Sequence, residues 1–231
     1  MIEVSNLCKR YGSCLALDNL SFQVGRGGVT GFLGPNGAGK STTMRILTCF
    51  LRADSGSARV NGLDVSSQPL PVKSAIGYLP ENNPLHPELR VDEFLRFRAR
   101  IKCVPGRDCR KAASEAMSRC GLAGSEKRII GQLSKGYRQR VGLADCLLGG
   151  APLLILDVPT AGLDPNQARE TRRLVAEIGE ERTVFLSTHL LSEVEKICRN
   201  VIIIGKGRLL AVDTPEGLVG KGFRQRAVLV E

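Results

Sequence analysis

The sequence contains no tryptophan and few aromatic residues of any kind, only 4% of its 231 residues. Rings on which unpaired bases stack are therefore scarce, which disfavours binding to single-stranded nucleic acid. Long apolar runs are missing as well, since no window approaches the roughly 18 consecutive apolar residues of a membrane helix. Any association of the chain with a membrane is therefore expected to be peripheral.

Paired cysteine motifs are also missing. The 8 cysteines are scattered without a CxxC pair, and the N-terminal residues MIEVSNLCKR lack the apolar stretch of a secretion signal. We therefore expect reduced thiols in a cytoplasmic protein, with most of the cysteines acting as small apolar residues.

Acidic residues are outnumbered by basic ones, 23 against 33, so the formal net charge is +10. This balance favours an anionic partner but does not choose between nucleotide, nucleic acid and anionic lipid. Hydrophobic residues make up 42% of the chain, which is ample for one large domain or for two lobes that share a core.

Strand and helix patterns divide the chain into an α/β core and a helical insertion. Three short apolar runs, APLLILD, RTVFLST and RNVIIIG, are separated by helical patterns over 167–178 and 190–197. Strands that alternate with helices favour a parallel sheet covered on both faces. From 91 to about 148 the pattern is helical, with Phe94, Phe97 and Ile101 on one face. This segment is predicted to be a helical lobe inserted into the core.

The segment GPNGAGKST matches the phosphate-loop pattern G-x-x-x-x-G-K-[ST] and lies between a strand pattern and a helix pattern. Glycines let backbone N–H groups curve around phosphate oxygens, and the following helix presents its positive end. The lysine adds a point charge for the β- and γ-phosphates, and the serine hydroxyl can bind Mg²⁺. The predicted phosphate-binding residues are Gly34, Pro35, Asn36, Gly37, Ala38, Gly39, Lys40, Ser41 and Thr42.

A second segment, LSKGYRQRVGLADCLL, distinguishes among the nucleotide-binding families that carry a phosphate loop. It resembles the signature segment of ATP-binding-cassette (ABC) ATPases, whose common form is LSGGQ followed by a helix rich in Arg and Gln. Ser134 and Gly136 stand where that family contacts the γ-phosphate, whereas Lys135 and Tyr137 depart from the pattern. A serine-capped basic helix without that function is the alternative. The position between the phosphate loop and the LLILD run favours the ABC interpretation.

The remaining ABC motifs occur in the family's order along the chain. The resemblance implies that Tyr11 stacks on adenine and that Glu81 of GYLPE occupies the Q-loop position, usually a glutamine. It further implies that Asp157 of LLILD is the Walker B carboxylate, that Asp164 of AGLDP belongs to the D-loop at the nucleotide interface, and that His189 of STHLLSEVE is the switch histidine. The implied catalytic residues are His189, Glu81 and Asp157, and the implied Mg²⁺ ligands are Ser41, Asp157 and Glu81.

The resemblance covers residues 1–220 and implies a single nucleotide-binding domain with the ABC ATPase fold. This fold is an α/β P-loop core of mainly parallel sheet, with an N-terminal antiparallel β subdomain and a helical subdomain inserted at about 88–150. Residues 221–231 are expected to form a short C-terminal tail. The segments LSKGYRQR and GYLPE are similar to those of ATPase subunits of ABC-2-type exporters, in the gliding-motility-like branch.

For function, the resemblance implies an ATP hydrolase that binds ATP and Mg²⁺ between two nucleotide-binding domains, in a homodimer or a heterodimer. Closure of the dimer moves a separate membrane-spanning permease, and the Q-loop and helical lobe are its expected contact surface. The chain is then expected to be cytoplasmic and peripheral on the cytoplasmic face of the plasma membrane. Export fits the resemblance better than import, the substrate stays open, and no nucleic-acid partner is expected.

The chain departs from the family at the reaction centre. The family places a glutamate after the Walker B aspartate, in LDEPT, where this chain has Val158, in LDVPT. Valine neither accepts a proton nor hydrogen-bonds water, so the typical general-base contribution of about 10²–10⁴-fold is lost or comes from elsewhere. Because Lys40, Ser41 and Asp157 remain, Mg-ATP is still expected to bind.

This departure leaves three interpretations open. In the first, the chain is half of a heterodimer and its signature segment completes a competent site on the partner. In the second, Glu81 replaces the missing base. In the third, the chain is an ATP-gated switch or scaffold that reopens mainly by nucleotide dissociation. A soluble ABC protein acting on ribosomes or DNA is the alternative outside transport, but those proteins resemble two cassettes in one chain or carry long coiled coils.

Overall fold

Two β-sheets and a group of helices make up residues 1–220, the part of the chain that the computed structural model describes. The predicted tail at 221–231 lies outside these residues. The strands are β1 (Ile2–Tyr11), β2 (Cys14–Val24), β3 (Gly28–Leu33), β4 (Ser55–Val60), β5 (Leu63–Asp64), β6 (Ile76–Leu79), β7 (Leu153–Asp157), β8 (Thr183–Thr188), β9 (Asn200–Gly205) and β10 (Arg208–Asp213). The helices are α1 (Lys40–Leu47), α2 (Pro69–Ser74), α3 (Val91–Ile101), α4 (Cys109–Arg119), α5 (Lys135–Leu147), α6 (Pro165–Glu181), α7 (Leu191–Ile197) and α8 (Pro215–Gly220).

The N-terminal sheet is antiparallel and has the strand order β2-β1-β4-β5. At the start of β1, buried apolar and exposed polar residues alternate, as in Ile2, Glu3 and Val4. This pattern is expected for a sheet with one face packed on the core and the other in solvent. The antiparallel β subdomain implied by the resemblance is therefore confirmed.

The second sheet has the order β10-β9-β3-β8-β7-β6 and is parallel except for β10. Every residue of β3, β7 and β8 is buried, as expected for strands covered on both faces. The rings of Phe22, Phe32 and Phe185 join the two sheets, with centroids 5.1 to 5.8 Å apart. The predicted parallel core is confirmed, and its covered strands explain the near-continuous apolar runs in the sequence.

The carboxyl ends of four adjacent parallel strands meet at one edge of this sheet. Leu33 pairs with Thr188, Asp157 with Ser187, and β6 lies beside β7. The loops that follow β3, β8, β7 and β6 therefore emerge side by side, which is where open α/β sheets bind ligands. These loops carry the GPNGAGKST segment, His189, Val158 and Glu81, which the resemblance assigned to the nucleotide site.

The helical segment predicted between β6 and β7 is present as α3, α4 and α5. The Asp145 carboxylate of α5 pairs with Arg98 at 2.9 Å and Lys102 at 3.1 Å, which ties α5 to α3. Of the apolar residues expected on one face of α3, Phe94 is buried, whereas Phe97 and Ile101 are 47% and 53% exposed. The core thus covers only part of that face.

The cysteines within residues 1–220 are all free thiols, as expected. The expectation that most of them are buried apolar residues is correct only for Cys109, Cys120, Cys146 and Cys198, because the others lie on exposed or half-buried strand and loop positions. No helix in this part of the chain is long and apolar enough to cross a bilayer.

Candidate nucleotide site

The phosphate loop connects β3 to α1 and packs tightly against its neighbours. A Cβ atom at Gly34 would lie 2.5 Å from the Ile204 carbonyl oxygen, so no larger residue fits there. Gly39 has a φ of +104°, and a Cβ there would lie 2.8 Å from the Ala16 carbonyl oxygen. Glycine is therefore required at both ends of the loop. The helix α1 begins at the next residue, so its free N–H groups and positive end face the loop.

The Lys40 side chain folds back over the phosphate loop. Its Nζ donates hydrogen bonds to the carbonyl oxygens of Gly34 at 2.6 Å and Pro35 at 2.9 Å. Burial lowers the pKa of the Lys40 ammonium below its usual value, and the nearby Asp157 and Glu81 carboxylates oppose that shift. Two of the acids that the sequence nominated thus lie within electrostatic range of the loop lysine.

Asp157 ends β7 and is buried, with one carboxylate oxygen committed and one available. The Ser187 hydroxyl donates to Asp157 Oδ1, whereas Oδ2 accepts no hydrogen bond from any residue within 1–220. Ser41, half-buried, lies in the first turn of α1. Carboxylate and hydroxyl oxygens suit Mg²⁺. No group of three or more His, Cys, Asp or Glu in the described residues could hold a metal.

Val158 occupies the left-handed backbone region, with a φ of +46°. A β-branched residue there is a genuine outlier and costs roughly 1–2 kcal/mol. The turn is held by hydrogen bonds of about normal length: the Val158 N–H donates to the Ser187 carbonyl and hydroxyl oxygens, both at 3.2 Å, and the Ala161 N–H donates to the Val158 carbonyl at 3.0 Å. The position implied for the general base therefore carries an apolar residue in a strained conformation.

His189 directly follows β8 and lies beside the start of the phosphate loop. The preceding residue, Thr188, accepts a backbone hydrogen bond from the Gly34 N–H at 3.4 Å. The imidazole is exposed, as a side chain that meets a ligand would be. Sequence reasoning overlooked Ser187, the partner of Asp157, although it lies two residues before His189 in the quoted motif.

The signature and D-loop segments form two adjoining helix N-termini. Ser134 caps α5 by accepting from the Tyr137 N–H at 3.3 Å, and Asp164 caps α6 by accepting from two backbone N–H groups at 2.9 and 3.0 Å. Gly136 lies against the Gln167 side chain, which would have to move to admit a Cβ atom. Neither Ser134 nor Asp164 has a hydrogen bond with the phosphate loop inside residues 1–220.

Tyr11 and Glu81 are both exposed. Tyr11, which is 46% exposed, ends β1 opposite the start of β2, and the Ala16 region of β2 packs on the phosphate loop. Glu81 is exposed in the loop after β6. Farther along this loop, Asn83 Nδ2 donates to the Arg138 carbonyl of α5 at 3.1 Å. The Q-loop is thereby attached to the signature helix.

Comparison with known proteins identifies the architecture. The model of the ABC transporter family matches residues 17–161. The daunorubicin resistance ATP-binding protein DrrA2 of Streptomyces coeruleorubidus is 39% identical over 211 residues, 91% of this chain and 66% of that protein. The bacitracin transport ATP-binding protein BcrA of Bacillus licheniformis is 38% identical over 212 residues, 91% of this chain and 68% of that protein. The chain thus spans about two thirds of the length of these relatives.

A solved structure supports the same assignment. The structure of cbiO1 from Clostridium perfringens, part of the ABC transporter complex cbiONQ, matches with a TM-score of 0.86 at 28% identity, covering 99% of this chain and 95% of that one. The phosphate loop, Walker B strand and signature helix described above lie within one such fold. The chain therefore belongs to the ABC transporter family, as an ATP-binding domain of the ABC ATPase type.

Proposed function

We propose that the chain is the ATP-binding motor subunit of an ABC exporter, and that Val158 impairs hydrolysis at the site on its own phosphate loop. One observation supports this most directly: Lys40 closes the phosphate loop near Asp157, while the next residue is an apolar valine with a φ of +46°. The relatives named for drug resistance and bacitracin transport favour export.

ATP binding follows from the residues that remain. The backbone of residues 34–42 and the N-terminus of α1 would surround the β- and γ-phosphates, with Lys40 as the fixed charge. Ser41 and Asp157 would hold Mg²⁺, which when bound neutralises phosphate charge. Glu81 is a third candidate ligand, and Tyr11 would stack on adenine.

Hydrolysis needs a group that orients water for in-line attack on the γ-phosphate. Val158 provides no such group, and His189, next to the phosphate loop, would contact the γ-phosphate rather than take the water proton. Glu81 is the candidate replacement base, because its charge acts on Lys40. Its exposed position leaves it without the fixed orientation that efficient base catalysis requires. Slow intrinsic turnover is therefore the expected outcome.

The signature segment serves a second nucleotide-binding domain in this proposal. Ser134 and Gly136 would contact the γ-phosphate held by the partner, and Asp164 would lie at the shared interface. A chain with a defective site of its own and an intact signature serine and glycine favours a heterodimer, in which this subunit completes the partner's site. The second candidate function is an ATP-gated regulatory or scaffold subunit, which the same valine supports.

The permease would dock on the exposed apolar side chains near the Q-loop. Phe97 and Ile101 lie on the outer face of α3. The ring of His86, in the segment between β6 and α3, has its centroid 6.1 Å from that of Phe97. Phe50 and Leu70 are each 76% exposed as well. Exposed apolar side chains that lie close together, as Phe97 and the His86 ring do, indicate a protein contact. The chain would then lie peripherally on the cytoplasmic face of the membrane.

Whether a membrane protein co-purifies with this chain from its source membranes tests the transport assignment. The Phe97→Asp and Ile101→Asp variants should lose the membrane subunit while still binding Mg-ATP, because a charge is placed in the apolar contact. The matched control is Leu210→Asp, on the edge strand β10 and 60% exposed. Equal retention of the membrane subunit by all variants would contradict the docking surface, and the absence of any membrane subunit would favour a soluble ABC protein.

A further inference from the structure

A buried carboxylate without an assigned role lies next to the nucleotide site. Glu193, in the first turn of α7, is only 3% exposed. Its Oε1 accepts from the Thr160 hydroxyl at 2.6 Å, and its Oε2 accepts from the Thr188 hydroxyl at 2.7 Å. Arg172 Nη1 lies 3.5 Å from Oε1. A buried charge is stable only when it is paired and hydrogen-bonded, and this one is both.

These contacts join three segments that bear on the reaction. Thr160 lies in the turn that follows Asp157 and Val158, and Thr188 is the last residue of β8, immediately before His189. Arg172 belongs to α6, the helix that begins at the D-loop. One side chain therefore connects the Walker B turn, the switch loop and the D-loop helix.

The Thr188 hydroxyl links Glu193 to the residues on both sides of His189. A hydroxyl has a single proton to donate. Because Thr188 donates that proton to Glu193, its lone pairs face outward, and one of them accepts from the Leu190 N–H at 3.0 Å. His189 lies between these two anchored residues. Fixing the backbone on both sides of the histidine restricts where its imidazole can point.

We propose that Glu193 is a positioning residue that holds the His189 loop and the turn after Asp157 as one unit. The proposal rests on the proposed ATP site and extends it. The alternative is that Glu193 only stabilises the N-terminus of α7, as an acidic residue does in the first turn of any helix. Such stabilisation requires neither burial nor a hydrogen bond from Thr160, which lies 33 residues away in the sequence. Thr160, Thr188 and Arg172 all donate to this side chain, so it must offer only hydrogen-bond acceptors, as a carboxylate does. A glutamine would instead direct the N–H groups of its amide toward one of the threonines.

Histidine NMR tests the proposal without depending on hydrolysis. The chain has 2 histidines, so the Cε1–H signals of His189 and His86 are assigned by replacing His86. In the ligand-free full chain, Glu193→Gln and Thr188→Val should shift or broaden the His189 signal and leave the His86 signal in place. Thr171→Val, at an equally buried threonine of α6 outside the cluster, should change neither.

Unchanged His189 signals in both variants would overturn the proposal. If Glu193→Gln fails to fold, Thr188→Val decides the question alone, because it removes one hydroxyl and no charge. Mg-ATP added to the wild type should move the His189 signal. The lack of that response would contradict the proposed ATP site. The role of Glu193 would still be tested by the comparison of the ligand-free variants.

A kinetic arm separates positioning from general destabilisation. In a Val158→Glu background, Glu193→Gln should reduce the rate of phosphate release by about 10-fold or more, while the Mg-ATP dissociation constant stays within about twofold. Equal losses in binding and rate would identify Glu193 as a merely structural residue and would reject the proposal.

Discussion

Replacing Val158 with glutamate should turn a slow nucleotide site into an active one. The substitution places a carboxylate directly after Asp157, at the end of β7 and next to the phosphate-loop edge of the sheet. It also removes a β-branched side chain from a residue whose φ is +46°. The local turn is held by backbone hydrogen bonds and the Ser187 hydroxyl, which do not depend on the side chain at 158.

The expected gain follows from the chemistry of the missing group. A positioned general base contributes about 10²–10⁴-fold, which corresponds to about 3–5 kcal/mol of transition-state stabilisation. The left-handed conformation costs roughly 1–2 kcal/mol in an L-residue, and the β-branched share of that strain is relieved. We therefore expect Val158→Glu to be at least as stable as the wild type, with a melting temperature equal or about 2–4 °C higher.

Phosphate release by the purified chain at saturating Mg-ATP measures the effect. Val158→Gln is the matched control, since glutamine has the same length and no β-branch but cannot act as a base. Val158→Gly removes the strain altogether and adds no functional group, so it should raise the melting temperature without raising turnover. Brisk wild-type turnover that Val158→Glu does not increase, or a glutamine variant as fast as the glutamate one, would refute the reasoning.

Other substitutions probe the rest of the site. Lys40→Ala should weaken Mg-ATP binding at least about tenfold by calorimetry, because the phosphate-facing charge is lost, whereas Lys111→Ala at an exposed helix position should not. Asp157→Asn should make ATP affinity nearly independent of added Mg²⁺, since it removes the charged metal ligand; a titration with and without EDTA decides this. Gly142→Ala would put a Cβ atom 2.0 Å from Asn83 Nδ2, so it should displace the Q-loop from α5 and lower stability by about 1–3 kcal/mol in urea unfolding; unchanged stability would contradict the packing described.

The motif-bearing parts of this site could be predicted because their chemistry lies in contiguous residues. A phosphate loop needs glycines and a lysine in a fixed local order, and a buried strand that ends in a carboxylate is visible in LLILD. The structure ends β7 at that same aspartate, Asp157. The alternation of strand and helix patterns likewise predicted a parallel sheet, because covered strands are apolar throughout.

Other features depend on contacts between distant residues or on partial exposure. The pairing of Thr160 with Glu193 joins positions 33 residues apart and has no local signature. The φ of Val158 is imposed by the hydrogen bonds around it rather than by its own preference. The edge strand β10 was not predicted because its residues are mostly exposed and do not alternate. The short helix α2 was not predicted because its two prolines indicate a turn unless they fall at the first helical positions.

The separation of binding from hydrolysis is the central claim, and a single-turnover experiment tests it most directly. The purified chain, in excess over α-labelled ATP with Mg²⁺, is passed through a desalting column, and the retained nucleotide is identified as ATP or ADP. We predict that the nucleotide is retained and recovered as intact ATP, because Lys40, Ser41 and Asp157 bind it and Val158 does not activate water. Recovery as ADP, or no retention at all, would contradict the account.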